Sequence, residues 1–407
     1  MPAAETLAAE SRIDWRRNLL VLWFAEFTAI FGFSFAFPFL PLYIRQLGVH
    51  DAHELALWTG LAGAAAGLSQ ALLSPAWGYL ADRVGRKSML VRAMVGGGLT
   101  VGAMGLVQTP AELVGVRLVQ GASSGTVAAA TTLVASGTPR DQVGRAMGLL
   151  SSAVALGTAV GPFAGGIAAG LLGLRRIFIG AGLLLLAAVV PVIAAVREPP
   201  RMHRGGARPP MSASMRVAPR GTFGAILVIL VAQTLQQIGY SGTQPLVTLR
   251  LISLIPHDNV AVFTGVAFAA SGIANAVAAV FYSRLATRLG YRWVAAAGSL
   301  AAAGAIMLVA VAPNPAVVVI ATLATGLVFG TVIPATSAML GLEAPAAVQG
   351  TIFGFSASAV ALGFGLGPLI GGLVAGVVNV EAALATIAAV AVLLALLMAV
   401  GGREPAQ

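Results

Sequence analysis

Two ionisable side chains stand among apolar neighbours. Glu26 lies in Trp23-Phe24-Ala25-Glu26-Phe27, and Arg117 in Val114-Gly115-Val116-Arg117-Leu118-Val119-Gln120-Gly121. An arginine inside a bilayer costs roughly 2.5–3.5 kcal/mol on insertion scales, so Arg117 must face a helix bundle or water and find partners there. A carboxyl in such a place can take up and release a proton, so Glu26 is a candidate proton carrier or an anchor for a cationic compound; a structural role is the alternative. Counted along their runs at ~1.5 Å per residue, the two sit at different depths, so coupling through water is expected rather than a direct bond. Other reactive chemistry is missing from the sequence. There is no cysteine; His50, His53, His203 and His257 fall in connections, and no G-x-x-x-x-G-K-[ST] phosphate loop occurs. Neither an enzyme nor an ATP-driven machine is expected, and no cofactor or metal.

The elements that position these residues follow from composition. Of 407 residues, 58% are hydrophobic and only 9% charged, against roughly 25% charged in soluble domains. The chain cannot cover a water-facing surface, which leaves an all-α integral membrane protein. Twelve apolar runs are long enough to cross a bilayer: 18–43, 55–77, 88–107, 111–136, 145–171, 176–196, 222–248, 260–282, 293–311, 315–340, 348–376 and 380–400. Their length and lack of alternation exclude barrel strands. With the N-terminus inside, the inner connections hold nineteen Arg and Lys and the outer ones four, so both termini are expected in the cytoplasm. The net charge of +10 is therefore a topology signal rather than a nucleic-acid one.

The basic, proline-rich stretch 197–221 divides the runs six from six. It reads as a solvated cytoplasmic linker, able to touch anionic lipid, between bundles at 1–196 and 222–407. The halves repeat. Shifting by 206 places 144–172 on 350–378 with 14 of 29 positions identical, including Gly157, Gly161, Pro162, Gly165 and Gly166 on Gly363, Gly367, Pro368, Gly371 and Gly372. Parallel six-helix halves with a site between them are one transporter architecture.

Three motifs add mechanism. The first is Gly78-Tyr79-Leu80-Ala81-Asp82-Arg83-Val84-Gly85-Arg86-Lys87, whose glycines permit a tight turn and close helix approach. Its acid beside three cations can form an ion-pair network that one conformation keeps and another breaks. The second is Arg117 with Gln120 and Gly121. The third is the G-x-x-x-G-P-x-x-G-G run from Gly157 to Gly166, with small residues for backbone-to-backbone packing and a proline that bends the helix.

Together these strings resemble the signature loop, fourth-span motif and antiporter motif of the major facilitator superfamily, in particular its twelve-span branch of bacterial multidrug:proton antiporters. The resemblance covers essentially the whole chain. It implies two six-helix bundles rocking about a central cavity, with Asp82 latching the cytoplasmic side. It also implies an Arg117 linked to proton coupling, and export rather than uptake. The second half departs from the pattern, with Thr287 opposite Asp82 and Thr322 opposite Arg117, so a strong latch is expected on the first half only.

Gln233, Gln237, Tyr240 and Gln244 follow helical spacing on the seventh run, and lipid would penalise such a stripe, so that face is expected to line the cavity or a helix contact, with the four residues taken as cavity candidates. Phe33 and Phe37 are expected on the Glu26 side of the first run, as packing or as an aromatic wall for lipophilic compounds. The resulting expectation is proton-coupled efflux of cationic or neutral lipophilic drugs or other small molecules by a monomer in the cell membrane. A narrow-substrate metabolite exporter or a sugar or organic-acid symporter is the alternative.

Overall fold

The computed structural model describes residues 14–139, 141–198, 222–345 and 349–404, without the side chains of Ala36, Asp82, His257, Asp258, Gln349 and Gly350. Most of the 197–221 linker thus lies outside the described residues. Among those described, every element is helical, as expected where the backbone must satisfy its own polar groups. The first half runs α1 (Trp15–Ala36), a 3-10 turn (Phe37–Phe39), α2 (Leu40–Gln46), α3 (Ala52–Val84), α4 (Arg86–Met104), α5 (Pro110–Ser123), α6 (Thr126–Gly137), α7 (Val143–Leu172) and α8 (Leu174–Ala195). The second runs α9 (Thr222–Leu254), α10 (His257–Leu289), α11 (Tyr291–Ala310), α12 (Pro315–Glu343), α13 (Gln349–Val377) and α14 (Val380–Gly401).

Ten helices among the described residues are long and apolar enough to cross a membrane. The exceptions have physical reasons. α4, with 19 residues, is long enough but carries Arg86, Lys87 and Arg92, which make it less apolar. The run 111–136, expected as one span, is corrected to two helices of 14 and 12 residues, broken at Ser124 and Gly125. Gly125 sits at φ +124°, a region that residues with a side chain rarely adopt.

The repeat is visible as packing. A Cβ on Gly157, Gly161 or Gly165 would strike the α1 backbone at Phe27, Phe31 and Phe35. One on Gly363, Gly367 or Gly371 would meet the α9 backbone at Thr234, Ile238 and Gly242. The next glycine in each copy crosses between halves: Gly166 lies on Gly265 of α10, and Gly372 on Gly60 of α3. Gly67 with Gly365 and Gly272 with Ala159 continue these two seams. These contacts run from the Asp51 end to the middle of the helices, with Gly67 and Gly272 midway along α3 and α10; nearer the Asp51 end, Thr248 Oγ1 also donates to Pro38 O at 2.9 Å and His53 Nδ1 meets Gly376 O at 3.0 Å. Toward the Gly85 end, Gly78, Gly144, Gly148 and Gly354 have nothing within 4 Å of an added Cβ. The backbone seams between the halves thus lie from the Asp51 end to the middle of the helices.

A second symmetric device ties each half together. Glu198 accepts from Arg86 N at 2.9 Å and Lys87 N at 3.2 Å, at the start of α4. Glu404 accepts from Tyr291 N at 2.7 Å and Arg292 N at 3.1 Å, at the start of α11. Both acids occupy an Arg-Glu-Pro string, at 197–199 and 403–405, again 206 apart. Each supplies a carboxylate to two orphan amides at a positive helix end. Glu198→Ala or Glu404→Ala is expected to cost about 1–2 kcal/mol. Thermal unfolding of the detergent-purified protein should show both losses; two unchanged midpoints would leave these caps without energetic weight.

Candidate functional site

The break in the fourth run is held from both sides. α5 ends with orphan carbonyls: Ala122 O accepts from Trp77 Nε1 at 2.6 Å, and Ser124 O from Arg92 Nη2 at 3.0 Å. The Arg92 guanidinium lies 3.6 Å from the centre of the Trp77 ring. α6 begins at Thr126 with no side-chain cap from Gly125. There Thr126 Oγ1 donates to Glu26 Oε1 at 3.2 Å. A cation thus sits at the negative end of α5 and a carboxyl at the positive end of α6, each contact worth ~0.3–1 kcal/mol and up to about 2 where partly buried. Glu26 is 1% exposed. The pairing was not legible in the sequence, because Glu26 and Thr126 are 100 positions apart.

Arg117 is also buried, at 5% exposure. Its Nε donates to Ala62 O at 3.0 Å, Nη1 bonds Gln120 Oε1, and the guanidinium lies 4.9 Å from the Phe37 ring centre. Glu26 and Arg117 therefore bond different partners rather than each other. Helix spacing explains the Gln120 contact, since i and i+3 share a face.

Between the halves lies a cavity of about 590 Å³, within the range of small-molecule sites. Of the residues singled out from the sequence, Phe33, Phe37, Arg117, Gln120, Pro162, Tyr240 and Gln244 line it. The break itself, Ser124 to Ala128, forms part of the wall, and Thr126 shows it one side while its hydroxyl serves Glu26. Glu26 is not among the lining residues.

The glutamine stripe divides between the two expected settings: Tyr240 and Gln244 line the cavity, and Gln233 and Gln237, taken as cavity candidates, lie at a helix contact. Gln233 Oε1 instead accepts from Ser356 Oγ of α13 at 2.7 Å, and Gln237 packs on Gly363 of the same helix. Gln236 similarly accepts from Thr336 Oγ1 of α12 at 2.9 Å. Helical spacing marked a polar face without saying which part meets a neighbour. Gln233→Leu is expected to lower stability by about 1–2 kcal/mol and leave the order of substrate preference intact, whereas Gln244→Leu should reorder it. Thermal shift with a panel of lipophilic dyes separates the two; a reordered panel in the Gln233 variant would contradict this division.

Sequence reading missed further wall residues. Thr243, Thr322 and Thr325 line the cavity while their hydroxyls bond the carbonyl four residues back. Phe268 and Phe364 join Phe33 and Phe37, with the Phe37 and Phe364 rings 5.8 Å apart. These are isolated residues on apolar helices, and only the assembled bundle brings them together.

At the Gly85 loop, Gly85 turns the chain at φ +113°. Lys87 Nζ donates to Ile193 O at 2.7 Å, and Arg86 Nη1 to Thr132 O at 3.2 Å. Arg83 lies 4.3 Å from the Tyr79 ring centre. The Asp82 side chain lies outside the described residues, and a Cβ added to Gly78 would have nothing within 4 Å.

A family model described as Major Facilitator Superfamily matches residues 22–257 and 220–407. The chain belongs to the Major Facilitator Superfamily. Among curated proteins, it is 31% identical over 374 residues to the multi-drug resistance efflux pump PmrA homolog of Lactococcus lactis subsp. lactis, covering 91% of each chain. It is 30% identical over 363 residues to the multidrug resistance protein MdtG of Escherichia coli strain SMS-3-5 / SECEC, covering 89% of this chain and 88% of that one. The solved nucleoside transporter NupG shares the fold at a TM-score of 0.76 and 15% identity, over 95% of this chain and 100% of that one. The Major Facilitator protein is thus a multi-span membrane transporter of small molecules rather than an enzyme, with multidrug efflux pumps among its relatives.

Proposed function

We propose that this transporter exports lipophilic drugs or similar small molecules in exchange for protons. The observation that carries the reading is a cavity walled by aromatic and hydroxyl side chains of both halves, with the buried Glu26 carboxyl one hydrogen bond behind Thr126. The volume suits a drug-sized compound, and the efflux pumps among the relatives favour export.

In this reading α4 and the α5–α6 pair complete twelve passes, in six-helix bundles at 1–196 and 222–407 joined by the 197–221 linker. The basic inner connections put both termini in the cytoplasm. The seams at the Asp51 end then close the outside, and the cavity faces inward. Substrate enters from the cytoplasm or inner leaflet, the halves rock to open the other side, and a proton taken up at Glu26 favours return. Arg117 holds the wall beside Phe37 and Gln120 and tunes that exchange electrostatically. Asp82 and the Gly85 loop latch the cytoplasmic side once Gly78 meets its partner helix. A monomer suffices, with lipid around it and no nucleic acid.

In everted membrane vesicles containing the protein, an outward-directed proton gradient, with the lumen acidic, should drive uptake of a lipophilic dye, and a protonophore should abolish it. Dye uptake that persists with the protonophore would refute proton coupling.

A further inference from the structure

Thr126 belongs to two sites at once. It lines the cavity, and its hydroxyl donates to Glu26 at 3.2 Å. It is also the first residue of α6, directly after Gly125 at φ +124°. Across the break, Ser124 O accepts from Arg92 Nη2 at 3.0 Å. The two half-helices therefore present opposite ends to opposite charges, and the residues between them, Ser124 and Gly125, are cavity wall.

The geometry points to this break as a proton-responsive joint, in which Thr126 and Arg92 are positioning residues that carry the protonation state of Glu26 to the substrate wall. The inference rests on reading Glu26 as the proton site. A charged Glu26 complements the positive end of α6, and a protonated one does not. Arg92 stays in place on the other side, so protonation leaves the break held from one end only. Gly125 lets the joint adopt the geometry, and the adjoining Val127 and Ala128 move with the first turn of α6. A half-helix terminus exposed at a cavity is a recurrent way for membrane helices to respond to charge.

Among the described residues, Glu26 is the one acid on α1 and on the helices packed against it and α6. α1 itself carries Arg16 and Arg17 in its first turn, and α6 has no ionisable residue. α7 has only Arg145 and α8 only Arg175 and Arg176, all in first turns, while α4 contributes Arg86, Lys87 and Arg92. Each of these is a cation. A change at the α6 terminus with pH is therefore a change at Glu26.

The chain has no cysteine, so Val127→Cys places a single thiol on the wall of the full-length protein. Its rate of alkylation by a small maleimide would be measured across pH and divided by the rate in the Glu26→Gln background, which cancels the titration of the thiol. The ratio is expected to change about threefold between about pH 6 and about pH 8. Thr126→Val should flatten it, and Thr126→Ser, which keeps the hydroxyl, should restore it. A ratio that Thr126→Val leaves unchanged, or that is flat in the parent, overturns the joint. Should Thr126→Val fail to fold, hydrogen exchange at the amides of 126–130 decides. A pH response present with Glu26 and absent in Glu26→Gln supports the joint; equal responses overturn it. Protonophore-insensitive dye uptake with an intact thiol response would sink proton-coupled export and spare the joint. The reverse pattern would sink the joint alone.

Discussion

Under the proposed exchange of substrate for protons at Glu26, Glu26→Gln is expected to leave a transporter that equilibrates its substrate without concentrating it. Moving one charge through about 100 mV is worth ~2.3 kcal/mol, which sustains a gradient of about 50-fold when one proton is exchanged for one neutral substrate. Gln fills the same space without charge, as a protonated Glu26 would, so the fold is retained. The variant cannot carry a proton, so the steady-state dye ratio across proteoliposomes should fall to about one. Exchange of labelled for unlabelled dye should continue, because the cavity wall is made of other residues. A Glu26→Gln protein that still concentrates dye would show that the proton travels elsewhere.

The second large effect is expected at the inter-half seams. A Cβ on Gly67 would lie 2.3 Å from Gly365 N and 2.4 Å from its Cα, and backbone cannot move aside as a flexible side chain can. Gly67→Val should destabilise the state closed at the Asp51 end by about 1–3 kcal/mol, the usual scale of overpacking. That corresponds to a shift of roughly 5- to 150-fold toward the opposite conformation. A lone cysteine at Thr325, on the cavity wall, reads the shift. Labelling by an impermeant maleimide should rise in intact cells and fall in everted vesicles. Unchanged labelling from both sides would mean the seam is not the gate.

Much of this was legible from local pattern. Gly85 marked its turn because the two flanking runs needed a sharp connection. The 206-residue repeat predicted glycines whose equivalents pack on equivalent helices, down to Phe27, Phe31 and Phe35 against Thr234, Ile238 and Gly242. What escaped depends on distance in sequence. Thr126 gave no sign of serving Glu26, and Arg92 read as one more inner cation rather than the partner of Ser124 O. The break at Gly125 was hidden inside an apolar run, since hydropathy does not register a positive φ. Glu198 and Glu404 were hidden differently: they sit in short polar segments where acids are ordinary, and only their amide partners give them a role.

The Gly60–Gly372 and Gly166–Gly265 contacts bring backbone against backbone. Such surfaces fit closely but have no side chains to interlock, and each atom pair across them adds only ~0.1–0.2 kcal/mol of dispersion. Closure of that kind is steep in shape and shallow in energy. The two orientations of the halves can then lie close in free energy, so that a small bias is enough to choose between them. The glycines at these seams make the gate easy to reopen as well as tight.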